Sequence, residues 1–181
     1  MKRHIILLIA FVLMSAQLFA QTPVYLTKAY KPVESDRYTA YSSLEIQGGD
    51  TWNNCFTLGV INNYHGYATF HLGGKYETIS FILGAEKSNG GNDPNIVQIH
   101  ADGRRIFDHV LRDGDLGQHF TLNISGVDKL EFSLVKPEVE AAFCEVALWT
   151  KGQTPHDLRG KNNPEVKTRK LFRDIVPYRI N

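Results

Sequence analysis

The segment VQIHADGRRIFDHVL, residues 97–111, carries two aspartates and two histidines, the residue types of hydrolytic and metal sites. A catalytic carboxylate pair acts across its substrate at about 5 Å or about 6.5–9.5 Å. Asp102 and Asp108 lie on one extended run, where their separation is roughly 20 Å at strand rise, so they are excluded as such a pair. Asp102-Gly103 predicts a type I′ hairpin turn instead, because that turn needs positive φ at both central residues.

The rest of the sequence offers no grouping for catalysis. It contains no paired histidines at zinc-protease spacing, no G-x-S-x-G elbow and no glycine-rich phosphate loop. We therefore expect a chain that is not an enzyme and has no catalytic residues. The formal net charge of +1, without clusters of Lys and Arg interleaved with aromatics, also excludes a nucleic-acid partner.

Aromatic and amide side chains gather in two short segments, GGDTWNN and INNYHGYATFH. A sugar site needs an aromatic face for the C–H surface of the ring and a few fixed polar groups for its hydroxyls. The alternative is that these aromatics pack in the core or at a strand edge, as most aromatics do. The candidate carbohydrate-binding residues are Trp52, Asn54, Asn63, Tyr64, His65 and Tyr67.

The loop EKSNGGND, residues 86–93, is rich in oxygen donors and glycine, as calcium loops are. Asp93 is a candidate calcium ligand on this ground. The loop lacks the alternating ligand spacing of a recognised calcium loop, so a flexible hairpin loop is the alternative interpretation. No cofactor is implied beyond such a structural calcium ion.

The elements that must position these residues are strands. Between Thr22 and Thr150, short runs of β-branched and aromatic residues alternate with Gly, Asn, Asp and Pro, and no long stretch has helical period. In KLEFSLV, for example, Leu130, Phe132 and Leu134 alternate with polar residues. The pattern predicts an all-β, antiparallel β-sandwich or barrel, built as one main domain.

The two ends of the chain differ from this middle part. Residues 1–20 carry two basic residues, an apolar run and small residues up to Ala20, the layout of a cleaved signal peptide. We expect a secreted or periplasmic protein with no membrane span after cleavage, a domain over residues 21–150, and a polar C-terminal extension over 151–181. That extension is expected to be flexible or to dock a protein partner.

Export bears on the two cysteines, Cys55 and Cys144. An oxidising compartment permits a disulfide bond between them. Two buried free thiols are the alternative, since unpaired cysteine packs as a small hydrophobic residue. Their spacing in the sequence does not decide between the two.

An ordered series of segments resembles the NPCBM domain, the novel putative carbohydrate-binding module related to family 51 carbohydrate-binding modules. The resemblance covers about Val24 to Trp149. It implies a galactose-binding-like jelly roll that holds glycans and is not itself catalytic. The matching segments, in chain order, are VYLTKA, IQGGDTWNNCF, LGGKY, YETISFILG, VQIHADGRRIFD, ISGVDKLEF and AAFCEVAL.

The resemblance carries further implications and two departures. Residues 63–66 read N-Y-H-G where members carry H-A-x-S, so the ligand is not carried over directly. Cys55 and Cys144 stand where the family has Gly and Ala, which implies facing residues and a disulfide candidate. Sandwiches of this type also carry structural ions, which makes Glu145 a candidate calcium ligand.

Together these observations predict a secreted, non-catalytic protein that recognises galactose-type or related glycans through loops at one end of a β-sandwich. The alternative is a structural or adhesion sandwich that binds a protein partner, with the C-terminal extension docking on it. An exposed aromatic with amides at the loop end would favour the first hypothesis, and a wider apolar patch would favour the second.

Overall fold

The computed structural model describes residues 22–61, 64–86, 94–135, 140–153 and 155. The predicted signal peptide lies outside these residues, as does the extension apart from residues 151–153 and Pro155, so both stay predictions. No helix in the described ranges has the length and apolar character to cross a membrane. The elements are β1 (Val24–Tyr25), α1 (Leu26–Ala29), β2 (Glu34–Asp36), β3 (Tyr38–Glu45), β4 (Thr51–Leu58), β5 (Val60–Ile61), β6 (Tyr64–His65), β7 (Tyr67–His71), β8 (Thr78–Ala85), β9 (Asn95–Ala101), β10 (Arg104–Leu111), β11 (Gln118–Asn123), β12 (Lys129–Leu134) and β13 (Ala141–Trp149).

The strands form two antiparallel sheets, which confirms the predicted fold class. The larger sheet has the order β11-β8-β13-β4-β3, and β1 also pairs with β13. The smaller sheet has the order β10-β9-β12-β7-β2, and β5 and β6 form a separate two-stranded ribbon. Their inner faces pack together into one apolar core, as expected for a β-sandwich.

Phenylalanine dominates the centre of this core. The ring of Phe56 stacks on that of Phe143 with centroids 4.8 Å apart, and Phe132 meets both rings edge to face at 5.1 and 5.0 Å. The predicted inward face of KLEFSLV is confirmed, because Leu130, Phe132 and Leu134 are all buried. Strand alternation therefore determines which side chains of the smaller sheet face the core and which face outward.

The larger sheet is buried on its outer face as well. The tip of the β3–β4 hairpin lies over β8, where the Gln47 N–H donates to the Ala85 carbonyl at 3.1 Å. A side chain at Gly84 would collide with Ile46, whose Cδ1 lies 2.8 Å from the position of its Cβ. The hairpin tip thus covers a second apolar cluster, formed by Ile46, Trp52, Cys55, Ile82, Ala142 and Cys144.

The hairpin predicted at Asp102-Gly103 is present. Both residues have positive φ, 49° and 79°, as a type I′ turn requires. The Asp102 carboxylate accepts the N–H groups of Asp128 and Lys129, the latter at 2.8 Å. Asp102 therefore has a structural role that ties this turn to the start of β12.

Candidate functional site

Trp52 and Asn54 lie in the second apolar cluster and its border, not at the surface. The Trp52 side chain is only 2% exposed. The interpretation of Trp52 as a stacking platform is therefore wrong, and the packing alternative applies. Asn54 is buried too, and its Nδ2 group donates to Glu145 Oε2 at 3.2 Å, so this amide is not available to a ligand. The reason is non-local: both residues belong to β4, and the tip of the β3–β4 hairpin lies against the outer face of the larger sheet, where Trp52 packs with Ile82.

Glu145 is a buried carboxylate, 1% exposed, at a register shift in β13. Its Oε1 accepts the Asn53 N–H at 3.1 Å and its Oε2 accepts the Asn54 amide. Glu145 and Asn54 both have positive φ, near 50°, so this contact fixes the bend between β4 and β13. N–H donors at both oxygens stabilise the carboxylate without requiring a metal ion.

No group of three metal-binding side chains occurs within the described ranges of the chain. Asn63 and Asp93 lie outside the described residues. For Tyr64 and His65 the structure describes the backbone of β6 but not the side chains. A structural calcium ion therefore stays a prediction, and so do binding roles for these four residues.

Cys55 and Cys144 are buried free thiols on neighbouring strands. The last residue pair in the register between β13 and β4 is Phe143 opposite Phe56. The next residue on each strand is a cysteine, so Cys144 and Cys55 adjoin. Burial raises the pKa of the Cys144 thiol, and a hydrogen bond with Cys55 adds to the effect. The structure thus places the two sulfurs as neighbours, and the disulfide bond stays a prediction.

Among the candidate residues whose side chains the structure describes, Tyr67 is the one that is partly exposed to solvent. It begins β7, and alternation along this strand directs Ala68 and Phe70 into the core. Tyr67 therefore belongs to the outer face of the smaller sheet. Because Trp52 belongs to the other sheet, the two aromatics cannot form the single site that the sequence predicted.

Polar side chains from four other strands lie in the same row as Tyr67. The pairing register places Tyr67 between Asp36 of β2 and Ser133 of β12, followed by Gln98 and Asp108. Directly opposed residues of antiparallel strands point to the same face, with Cβ atoms about 4.5–5.5 Å apart. At the end of the row, Gln98 Nε2 donates to Asp108 Oδ2 at 3.4 Å.

An apolar strip borders this row on the side of the loops that precede β7 and β9. Ile96 pairs with Val110, and the Val135 N–H donates to the Ile96 carbonyl at 2.8 Å. Val110 and Val135 are 39% and 38% exposed, so the strip is open to solvent. The row and the strip together form what we call the rim surface: Asp36, Tyr67, Ile96, Gln98, Asp108, Val110, Ser133 and Val135.

Of the rim surface, Tyr67 is the one residue among the candidates predicted from the sequence. The missed signal was the outward positions of the alternating strands, such as Gln98 in NIVQIHA and Ser133 in KLEFSL. Each of these positions resembles an ordinary solvated residue by itself. Only the strand order brings them into one row.

A pair of carboxyl groups lies at the same end of the sandwich. Glu86 follows β8 and Glu140 precedes β13, and the Glu86 N–H donates to the Glu140 carbonyl at 3.0 Å. Burial, and then a hydrogen bond with the Glu140 side chain, raises the pKa of Glu86 to about 7. Glu86 can therefore hold a proton near neutral pH, and its hydrogen bond with Glu140 joins the ends of these two strands.

Comparison with known proteins identifies the family. The model of the NPCBM/NEW2 domain matches residues 15–153. No curated protein matches this chain.

Solved structures support the fold. A family 51 module of a glycoside hydrolase from Clostridium perfringens, in complex with methyl-galactose, is 14% identical with a TM-score of 0.56, over 70% of this chain and 99% of that one. Tandem family 51 modules of a Streptococcus pneumoniae glycoside hydrolase are 11% identical with a TM-score of 0.58, over 75% and 49%. The second family 51 module and INT domains of C. perfringens ZmpB, with GlcNAc, are 8% identical with a TM-score of 0.50, over 68% and 29%.

At such identities these neighbours show the fold alone, while the family model spans most of the chain. This chain belongs to the NPCBM/NEW2 domain family of carbohydrate-binding modules.

Proposed function

We propose that this protein is an exported, non-catalytic module that binds galactose-type or related glycans at the rim surface. The observation that carries the proposal is the position of Tyr67, between the Asp36 and Ser133 strands and beside an exposed apolar strip. Family membership supports glycan binding in general.

The chemistry of the rim surface suits a sugar ring. A hexose has an apolar C–H face, which the Tyr67 ring can cover, while the strip that begins at Val135, one strand away, can contact a neighbouring part of the glycan. Its hydroxyls need donors and acceptors, which Ser133 and the polar end of the row supply. The surface is shallow and largely solvated, so we expect weak binding, with Kd values between about 1 μM and 1 mM.

The proposed sugar rests on the similar modules rather than on a contact in this chain. One of them was solved with methyl-galactose and another with GlcNAc, so this fold accommodates more than one sugar. We place galactose-type glycans first because the methyl-galactose complex is the more similar of the two.

The geometry of the row supports a role without catalysis. Its two carboxylates, Asp36 and Asp108, lie on β2 and β10, the outermost strands of the smaller sheet. Four strand spacings of about 4.8 Å separate them by roughly 19 Å. That distance is about twice the widest separation at which a glycosidase carboxylate pair works.

Export is the least direct part of the proposal. Carbohydrate-binding modules of this kind are typically extracellular. The predicted signal peptide over residues 1–20 agrees with that location.

A protein partner is the alternative, through the C-terminal extension or through the rim surface. The apolar strip has three residues and borders polar side chains of the row, those of Asp108, Gln98 and Ser133. Protein-docking patches are usually wider and less interrupted. The rim surface therefore favours a small, hydroxyl-rich ligand.

A glycan array on the mature chain tests the proposal. We expect binding to galactose-terminated or related glycans, lost in Tyr67→Ala and kept in Tyr41→Ala, which alters a half-buried tyrosine of the larger sheet. Equal binding by wild type and Tyr67→Ala would contradict the location. A folded protein that binds no glycan on the array would contradict the function.

A further inference from the structure

A second concavity lies at the end of the sandwich opposite to the rim surface. It is formed by the turn between β7 and β8, the turn between β11 and β12, and the residues that follow β13. Its volume is about 270 Å³, close to the lower limit of about 300 Å³ for ligand pockets. Its lining residues are Gly74, Lys75, Tyr76, Glu77, Ser125, Gly126 and Lys151.

Two glycine turns keep this far-end pocket open. Gly74 and Gly126 both have positive φ, 67° and 74°. A Cβ at Gly74 would lie 3.5 Å from the Gly126 carbonyl oxygen, so the two turns adjoin and any longer side chain would intrude. The lining here is therefore bare backbone, which lets a ligand approach closely.

Tyr76 provides a rigid aromatic wall. Its hydroxyl lies 2.9 Å from that of Tyr30, and the two rings meet edge to face with centroids 6.2 Å apart. One hydroxyl donates to the other, so the pair retains one O–H proton for a further acceptor. A wall fixed in this way loses little conformational entropy when a ligand binds.

The charges on the pocket lining are unequal. Lys75 and Lys151 contribute two ammonium groups, whereas Glu77 contributes one carboxylate. The lining therefore carries one net positive charge, whereas the rim carboxylates of Asp36 and Asp108 each pair with an arginine, Arg37 at 3.6 Å and Arg105 at 3.1 Å. Of the two ends of the sandwich, the far-end pocket is thus the one whose charge favours an anionic ligand.

We propose that the far-end pocket is a second binding site, which takes one acidic sugar residue with a single carboxylate. Lys75 and Lys151 pair with the carboxylate, and Ser125 and the backbone of the glycine turns meet the hydroxyls. The length of β12, six residues between the two ends, keeps the sites about 20 Å apart. Each site can therefore be occupied independently, and one acidic polysaccharide chain can engage both.

Calorimetric titration of the full mature chain with galacturonic acid tests this inference, with galactose as the neutral probe of the same ring geometry. We expect saturable galacturonate binding that weakens as salt rises. In the double variant Lys75→Ala/Lys151→Ala binding should weaken by about tenfold, because charge-assisted contacts are lost. The matched control Lys31→Ala/Lys129→Ala removes the same charge from exposed lysines outside the pocket and should bind like wild type.

A Tyr67→Ala variant separates this site from the proposed function, because it alters only the rim surface. Unchanged galacturonate binding in Tyr67→Ala supports two independent sites, even if neutral glycans fail to bind. Equal weakening in both lysine variants would show a net-charge effect and overturn the proposal. The absence of saturable binding up to about 10 mM galacturonate would also overturn it.

Discussion

Replacing Trp52 by phenylalanine should lower the free energy of unfolding and leave glycan binding unchanged. The indole projects from β4 and is buried in the second apolar cluster, between the β3–β4 hairpin and Ile82 of β8. It takes no part in the rim surface, which lies on the smaller sheet. The variant should therefore lose stability and keep the glycan affinity of the wild type.

The size of the stability loss follows from burial. Truncating a buried Trp to alanine costs about 3–5 kcal/mol, a large part of the total stability of a small domain. Phenylalanine keeps the six-membered ring and loses roughly three heavy atoms, at about 0.8 kcal/mol each. Trp52 Nε1 is buried without a hydrogen-bond partner among the described residues, and its removal returns about 1 kcal/mol. We expect a net loss of about 1–2 kcal/mol for Trp52→Phe.

Guanidinium unfolding followed by circular dichroism measures this loss as a lower midpoint at constant slope. Tyr67→Ala is the matched comparison, because it alters a partly exposed aromatic and should change stability by less than about 1 kcal/mol. Its glycan affinity should fall by about 1–3 kcal/mol, by analogy with the stacking of bases on aromatics. A folded Trp52→Phe protein of wild-type stability that no longer binds glycan would refute the assignment of Trp52 to packing.

The remaining predictions concern four buried or constrained groups. Mass spectrometry of the unreduced exported protein should show a Cys55–Cys144 disulfide, and two alkylatable thiols in the unfolded protein would contradict it. The pKa of Glu86 in the folded protein, about 7, exceeds its ordinary value of 4.5, so its stabilising contribution is complete below about pH 4.5 and is lost as pH rises through 7. Screening near the surface limits that loss to about 1–2 kcal/mol, and Glu86→Gln should remove the slope from pH-dependent unfolding curves. Asp102→Ala should cost about 1–2 kcal/mol in chemical unfolding, because it removes the acceptor of two N–H groups and puts alanine at positive φ, whereas Asp102→Asn should cost less. A structural calcium ion at Asp93 or Glu145 predicts that EDTA lowers the melting temperature and that added calcium restores it; an unchanged melting temperature would contradict the ion, and Glu145 would then be held by its two N–H donors alone.

The smaller sheet could be predicted well from the sequence, because one of its faces packs in the core and the other is exposed to solvent. Alternation in KLEFSLV identifies Leu130, Phe132 and Leu134 as core residues, and all three are buried. The Asp102-Gly103 turn could be predicted equally well, because the positive φ angles that it requires fall on two adjacent residues of suitable type. Period-two patterns and turn chemistry both act over a few residues, so a single sequence reveals them.

The larger sheet could not be predicted to the same extent. Its outer face is covered as well: the tip of the β3–β4 hairpin packs on Ile82, and Trp149 Nε1 donates to Ser80 Oγ at 2.8 Å. Both residues are therefore buried although alternation directs them outward. The bend depends on positive φ at Asn54 and Glu145, which are not glycines and give no clear local signal. The sequence left both packing and a binding role open for Trp52, and the fold buries it between its own hairpin and the larger sheet.

The rim surface was missed for a related reason. Its apolar strip combines Ile96, Val110 and Val135 from three segments that meet only in the order β10-β9-β12. Strand order is a long-range property, and alternation fixes the face of a residue without fixing its neighbours across the sheet. Tyr67 alone could be found, because a sugar site needs an aromatic and the loop segment supplied one.

The glycan site is tested most directly by an NMR titration of the ¹⁵N-labelled mature chain with methyl-galactoside. We expect saturable amide shifts centred on Tyr67, Gln98 and Ser133, with the far-end turns at Gly74 and Gly126 unaffected by this neutral sugar. Shifts centred on the β3–β4 hairpin around Trp52, with the outer face of the smaller sheet unchanged, would contradict the rim surface as the glycan site.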